Sequence, residues 1–519
     1  MSKPGAGDDR GLSREAARDV TVVAKGGAVQ IAGQVTQRSL SFFFTAAVQQ
    51  ILGTAGLGLY RVVAQVLAIG GQIGLLGFNY ASMRWISKAR VSKEPGAIRG
   101  AASVGITGSA MASLVIAAVM VLFARQITGL FCDGDCDADR VEQFVRVGAL
   151  YVPFFALMQV LRYCTQAYKT MVPSVIVGNI IQPAVRFVVG ITFLLAGFEI
   201  MGAVVTLVIS MAAGAVAGAF YLRRMVGAEE WSAAPLRPVR AMVRFALPQA
   251  GSSLLGIQSL GLGIIVLGVL DSDFQVGLFA IALSLQGPAG VFLSGIVNIW
   301  APVVSDLYER GEIARLGSLY QTITRWIATF SFPISAAMIL EPDLFLIFFD
   351  KDAASAGPVV AVLAVGNLFY SGTGPTGYVL SMTGRPGVNF ANSIVAVALY
   401  AILGVLVVPE HGALGMAFVD AAVTALINIV RVVQAKILVG VQPFGRSFVK
   451  PVVGTLVGAA VLLLWRLIPG DSYPLEVSGI GVALIAYLVT LRMFGIDDEE
   501  RFVLDAIRAR ASKAIRRRP

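Results

Sequence analysis

Arginine recurs in this chain where hydrocarbon is expected. In the apolar run from about residue 26 to 52, Gln30, Gln34, Arg38, Ser41, Thr45 and Gln49 follow at intervals of 4, 4, 3, 4 and 4 residues. That spacing puts them on one face of a helix. Two further runs carry similar stripes: Gln159, Arg162, Tyr163, Gln166 and Lys169, then Asn179, Gln182 and Arg186. None of these runs contains an acidic residue. A charge at the centre of a bilayer costs about 2.5–3.5 kcal/mol on insertion scales. Unpaired guanidinium stripes therefore need water around them and an anion to meet. The chemistry they suit is reception of an anionic substrate in a hydrated cavity. The competing reading is structural: each arginine bonds backbone carbonyls, or snorkels. Snorkelling suits Arg162 and Arg325, which lie about 9 Å from a membrane face at 1.5 Å per residue. Arg61, near the outer end of its run, reads as an anchor at the membrane interface or as an exit-side contact.

A second pattern has the opposite sign. Of 31 acidic residues, Asp420 alone lies well inside an apolar run, with Asp271 at the end of another. Asp420, Thr424, Asn428 and Arg431 form a 4, 4, 3 stripe, and Asn389, Asn392 and Ser393 lie on the preceding run. A carboxylate beside amide and hydroxyl oxygens can hold Na⁺ or take up H⁺, and so couple transport to an ion gradient. It can equally pair with Arg325 or Arg431 and join helices. No cofactor or metal is expected: the acidic stretch at Asp133, Asp135, Asp137 and Asp139 has Ala138 and Phe144 where a calcium loop needs Gly and Glu. Cys132 and Cys136 flank it and suit a small disulfide, and Cys164 reads as a buried thiol.

The elements that must position these residues are membrane helices. The 519 residues are 56% hydrophobic and 14% charged, against about 25% charged in an average soluble domain. Fourteen runs are long enough to cross: 26–52, 57–83, 100–123, 143–168, 175–197, 201–222, 245–270, 275–302, 319–340, 355–382, 388–408, 412–430, 451–465 and 475–491. The fold class is all-α and polytopic. No cleavable signal peptide is expected in the polar first 25 residues. With the N-terminus inside, 31 of 41 Lys and Arg fall on the cytoplasmic side and 4 outside. This bias puts both termini in the cytoplasm and explains the net charge of +10 without nucleic acid.

An internal repeat divides the chain. "YKTMVPSVIVGN" aligns with "SMTGRPGVNFAN", matching Pro173 to Pro386, Val175 to Val388 and Asn179 to Asn392 at an offset of 213. Upstream, "GLGLYRVVAQVLAIGG" at 56–71 aligns with "QVGLFAIALSLQGPAG" at 275–290, an offset of 219. Each half holds six runs, so the halves share one orientation about an axis along the membrane normal. The organisation expected is a cytoplasmic tail 1–25, a lobe 26–222, a basic linker 223–244, a second lobe 245–438, two extra helices within 451–491 and a basic amphipathic tail 492–519. Lobes of this kind enclose a cavity and rock around it. Gly372, Gly374, Pro375 and Gly377 break the tenth run and can serve as a hinge.

These residues resemble a known family. "ILGTAGLGLYRVVAQVLAIGGQIGLLGFNYASMRWISK" at 51–88 is similar to the second-span signature of polysaccharide, or lipid-linked oligosaccharide, flippases of the multidrug/oligosaccharidyl-lipid/polysaccharide (MOP) superfamily. "FALPQAGSS", "GRP" and "EHGALGMAF" follow in the family's order over about residues 20–490. The resemblance implies a MATE-like fold in the cell membrane. The substrate it implies is a polyprenyl-diphosphate-linked glycan moved from the inner to the outer leaflet, with the diphosphate at Arg38, Arg162, Arg186 and Arg325 beside Gln34, Gln159, Gln166 and Gln182. It implies a monomer amid membrane lipids, in contact with glycan-assembly enzymes. A lipid-linked peptidoglycan-precursor flippase shares the architecture. A multidrug extruder of the same superfamily is disfavoured by one buried Asp against several inner arginines. A glycosyltransferase would need a carboxylate cluster or a large outer loop, and the one histidine, His411, sits at a loop turn.

Overall fold

A computed structural model describes residues 9–132, 137–168, 170–254, 261–287, 300, 303–468 and 473–495. Among them every regular element is helical. Ten stretches are long and apolar enough to cross a membrane. Two of these, Val29–Val91 and Pro386–Val439, are 63 and 54 residues long, each about three times the roughly 20 residues a single crossing uses. Both fold back on themselves. In a straight helix Thr45 and Arg61 would stand about 24 Å apart, yet the Arg61 guanidinium donates to Thr45 Oγ1 at 2.7 Å. The reversal is at Gly53, whose φ of 76° an L side chain rarely adopts. Gly412, at φ 53°, reverses the second stretch. There the Tyr400 hydroxyl donates to Asp420, and Asn392 and Gln434 exchange amide hydrogen bonds of 2.6 and 3.1 Å across 42 residues.

The repeat read in the sequence sets the architecture. Helices open on Pro173 and on Pro386, with proline in the first turn where its missing N–H costs nothing. The first lobe packs the helical hairpin of residues 29–75 against Pro95–Leu122, Tyr151–Gln166, Gln182–Leu195 and Glu199–Met225. The second packs Leu262–Leu270, Asp273–Leu285, Ile313–Leu340, Gly357–Gly372 and the Pro386–Val439 hairpin. The lobes meet where Gly58 crosses Gly277, the pair matched by the offset of 219. A Cβ on Gly58 would stand 1.7 Å from the Asp273 carbonyl oxygen, and one on Gly277 would stand 2.0 Å from that of Thr54. Thr54 and Asp273 are themselves repeat partners, so the contact is reciprocal and lies on the pseudo-two-fold axis.

Two elements flank this core. The linker docks on one end of the first lobe, where Leu236 N–H donates to the Gly96 carbonyl at 2.9 Å and Arg99 to that of Ala233 at 2.9 Å. The C-terminal pair, Val449–Trp465 and Tyr473–Met493, packs on the second lobe. Tyr487 donates to the Thr329 carbonyl at 2.7 Å, and Arg466 pairs with Glu341 at 2.7 Å.

The sequence expectations differ from the fold at several places. The first helix begins at Asp9, before the expected membrane entry at 26. The seventh and eighth expected spans include residues 255–260, 288–299 and 301–302, outside the described set, as are Cys136 and residues 496–519 of the tail. Cys132 is disulfide-bonded and Cys164 is a buried thiol.

Two outcomes test this packing. Gly58→Ala and Gly277→Ala should each lower the melting temperature of the purified protein by the equivalent of about 1–3 kcal/mol. The double variant should cost less than their sum, because both relieve one contact; unchanged melting would contradict the crossing. Asn392→Leu should cost about 0.6–1.7 kcal/mol, the range for hydrogen bonds between membrane helices. Asn392→Leu with Gln434→Leu should recover part of that loss, since no orphaned amide remains.

Candidate functional site

A cavity of about 500 Å³ opens between the lobes. Its wall is the polar stripe of the first helix: Gln30, Gln34, Arg38, Ser41 and Thr45 all line it, as periodicity required. Gln37, Phe42, Arg61, Arg162 and Asn179 complete the first lobe's share, whereas the second lobe contributes Leu283, Ser284 and Gly287. Among the described residues, three arginines and no carboxylate line the space. The site is electropositive, and its charge comes from one lobe.

Arg38 reaches across the cavity. Its Nη1 donates to the Gly287 carbonyl of the second lobe at 2.5 Å. The helix Asp273–Leu285 ends just before that residue, so the contact falls at the junction that follows it. Arg38 is thus a tie between lobes as well as a cavity wall. Tyr370 of the second lobe lies within electrostatic reach of both Arg38 and Arg431.

Arg162 is held within its own lobe. Its Nε donates to the Ser174 carbonyl at 3.1 Å, Nη1 to Gln159 Oε1 at 2.9 Å and Nη2 to Asn179 Oδ1 at 3.5 Å. Gln166 donates to Ser174 Oγ at 2.7 Å and fixes that acceptor. Asn179 gets its place from a π-helical turn, Ile176–Ile181, just before Pro183. A wide turn here accommodates the proline's missing N–H, and such turns recur at functional sites.

Five expected site residues do not line the cavity: Gln159 and Gln166, which hold Arg162 and Ser174, and three that fall elsewhere. Gln182 is buried and donates to Ser210 Oγ at 3.1 Å, inside the lobe rather than in the cavity. The π turn rotates it away from the face that a regular 3.6-residue period assigns. Arg325 is buried within the second lobe and does not line the cavity. The break at Gly374 packs against neighbouring Thr324, covering that level of the helix. Arg186 stands behind the wall: its Nη2 donates to Tyr60 at 2.7 Å and its guanidinium lies 4.8 Å from the Phe44 ring centroid.

Arg61 corrects another expectation. It lines the cavity, at the Thr45 level of the stripe, instead of anchoring at a lipid interface. Gln65, one turn further along and against Gly261 of the second lobe, was the signal that this face of the helix points inward. Tyr370 and Gln37 were missed, since a single aromatic or amide off a regular stripe carries no periodic signal.

The residues considered for ion coupling do not converge. Asp420 accepts from Tyr400, which lies about 12 Å along the helix from Asn392 at 1.5 Å per residue. Asn392 is engaged with Gln434, Asn389 donates to Ser381 Oγ at 3.2 Å, and Asn428 donates to the Thr424 carbonyl at 2.8 Å. Among the described residues no cluster of three His, Cys, Asp or Glu exists.

With the geometry in hand, comparison places the chain. The family described as polysaccharide biosynthesis protein matches residues 23–308. The capsular polysaccharide biosynthesis protein CapF of Staphylococcus aureus is 26% identical over 174 residues, 33% of this chain and 43% of that protein. The chain thus spans less than half the length of that relative. The structure of lipid II flippase MurJ in an inward closed conformation superposes with a TM-score of 0.73 at 13% identity, over 90% of this chain and 98% of the other. An inward-facing multidrug resistance MATE family transporter of the MOP superfamily gives 0.64 at 15% identity, over 80% and 98%. At such identities the likeness is one of fold. The all-helical, two-lobed, multi-pass membrane architecture is that of MOP transporters, and the chain belongs to the polysaccharide biosynthesis protein family.

Proposed function

We propose that the protein is a flippase that carries a polyprenyl-diphosphate-linked oligosaccharide from the inner to the outer leaflet by alternating access. One observation carries this reading: among the described residues, three arginines and no carboxylate line the cavity between the lobes. A diphosphate supplies the missing negative charge and accepts charge-assisted hydrogen bonds from guanidinium groups. Arg38 and Arg162 bind it, Gln34 offers donors alongside, and the polyprenyl tail stays in lipid. Gln159 and Gln166 position Arg162 and its acceptor rather than touching substrate. The family's description and the capsular relative favour a polysaccharide precursor. The fold likeness to MurJ keeps a lipid-linked peptidoglycan precursor as the alternative. The sign of the lining opposes a cationic drug.

The substrate also reaches the machinery of movement. A diphosphate that binds Arg38 competes with the Gly287 carbonyl, so its arrival releases a tie between the lobes. Coupling, in our reading, is to H⁺ through Asp420 and Tyr400, because the oxygens of a Na⁺ cage are spread along the hairpin. The working unit is a monomer with both termini in the cytoplasm of the cell, beside the enzymes that assemble the glycan.

Native mass spectrometry of the chain purified in mild detergent tests the substrate. A polyprenyl-diphosphate glycan should co-purify. Arg38→Ala and Arg162→Ala should each weaken binding about 10- to 100-fold, the equivalent of about 1.5–3 kcal/mol for a charge-assisted hydrogen bond. Cationic drugs bound in its place would contradict the reading. For coupling, Asp420→Asn should abolish stimulation of transport by a pH gradient while leaving lipid binding intact; transport driven by Na⁺ alone would contradict H⁺ coupling.

A further inference from the structure

A second cluster of positive charge lies beyond the first. Arg61 and Arg186 come from different helices of the first lobe and stand close enough to repel one another. Each is held by one neutral hydroxyl: Arg61 by Thr45 at 2.7 Å and Arg186 by Tyr60 at 2.7 Å. Aromatic rings wall the pair, with the Arg186 guanidinium 4.8 Å from the Phe44 centroid and 6.0 Å from that of Tyr60. Both Nε atoms are buried without a hydrogen-bond partner among the described residues. No carboxylate among those residues pairs with either guanidinium. Two adjacent buried cations, each with an unused donor, are costly without an anion.

Their depth gives the pair a place in the path. Phe44 and Thr45 lie six and seven residues past Arg38 on the same helix, about 10 Å further outward at 1.5 Å per residue. Immediately beyond is the closure of the outer side. There the Asp350 N–H donates to Gln49 Oε1 at 2.8 Å, Gln50 donates to the Phe348 carbonyl at 2.9 Å, and Gly58 crosses Gly277. Anything leaving outward along the polar stripe passes Arg61 last, with Arg186 directly behind it.

We propose that Arg61 and Arg186 form a second anion-binding position at the exit end of the cavity, separate from the Arg38–Arg162 position. It receives the diphosphate after the first position releases it. The identity of the arriving anion rests on the flippase reading; the requirement for an anion does not. Cation–π contact with Phe44 and Tyr60 stabilises the Arg186 guanidinium while the position is empty. A neutral hydroxyl is readily exchanged for a phosphate oxygen, and each free Nε–H adds a donor. Two positions about 10 Å apart divide a long crossing into shorter transfers.

The test titrates farnesyl diphosphate into the purified full chain in mild detergent and counts bound molecules by native mass spectrometry. Wild type should saturate at two per chain. Arg61→Gln and Arg186→Gln, made singly, should each lose one and keep the affinity of the other within about twofold. Arg38→Gln should lose the complementary one. Arg186→Lys keeps the charge and should retain two with weaker outer binding, which separates loss of the position from loss of the fold. Each variant is scored only if its melting temperature and gel-filtration profile match wild type, and any one of the three outer variants suffices. A single molecule per chain, lost in Arg38→Gln and untouched by the outer variants, would overturn the second position and leave the flippase reading standing. A single molecule lost in every variant would mean one shared site and would also overturn it. No binding to wild type would remove both.

Discussion

Positive charge without a fixed counterion, held in a bundle that faces hydrocarbon, is the constraint on which this structure depends. A guanidinium in such a place demands water, hydrogen-bond acceptors or an anion. The first lobe answers in part with neutral acceptors: Ser174, Gln159 and Asn179 for Arg162, Thr45 for Arg61, and Tyr60 for Arg186. None of these carries a charge, so the groups are oriented but not neutralised. A protein meant only to join helices would more economically use Asp or Glu, as Arg466 and Glu341 do at the flank. Withholding carboxylates leaves the field of the cavity for a ligand that comes and goes.

The same charge sits at the hinge of the two lobes. Arg38 spans the cavity to the Gly287 carbonyl, while the crossing of Gly58 and Gly277 lets two backbones touch on the pseudo-two-fold axis. The first contact is polar and exchangeable by a phosphate. The second is steric and independent of ligand. In the proposed alternating-access cycle the first contact senses cargo and the second sets how closely the lobes can approach.

Much of this was legible in the amino-acid order, and the places where it was not have physical causes. Periodicity alone put Gln30, Gln34, Arg38, Ser41 and Thr45 on one face, and all five line the cavity. The repeat announced the helix starts at Pro173 and Pro386 and paired Gly58 with Gly277 across the axis. Periodicity failed at Gln182, because the π turn before it breaks the 3.6-residue period on which the assignment rests. It failed at Arg325, because the broken helix at Gly374 covers that level of its neighbour, a contact between segments some fifty residues apart. It misjudged Arg61, because position near a span end says nothing about which way a side chain faces. Asp420 was found as an outlier in composition. Its engagement with Tyr400 depends on where the hairpin turns at Gly412, which local pattern does not specify.

The most direct test of the central claim is leaflet translocation in proteoliposomes that contain only this protein and a fluorescent polyprenyl-diphosphate-linked sugar, followed by quenching from outside. The account requires translocation well above that of empty vesicles for the diphosphate lipid, and little for the same lipid bearing a neutral linkage. Equal rates for charged and neutral lipids, or none for either in a protein that still binds the diphosphate, would contradict it.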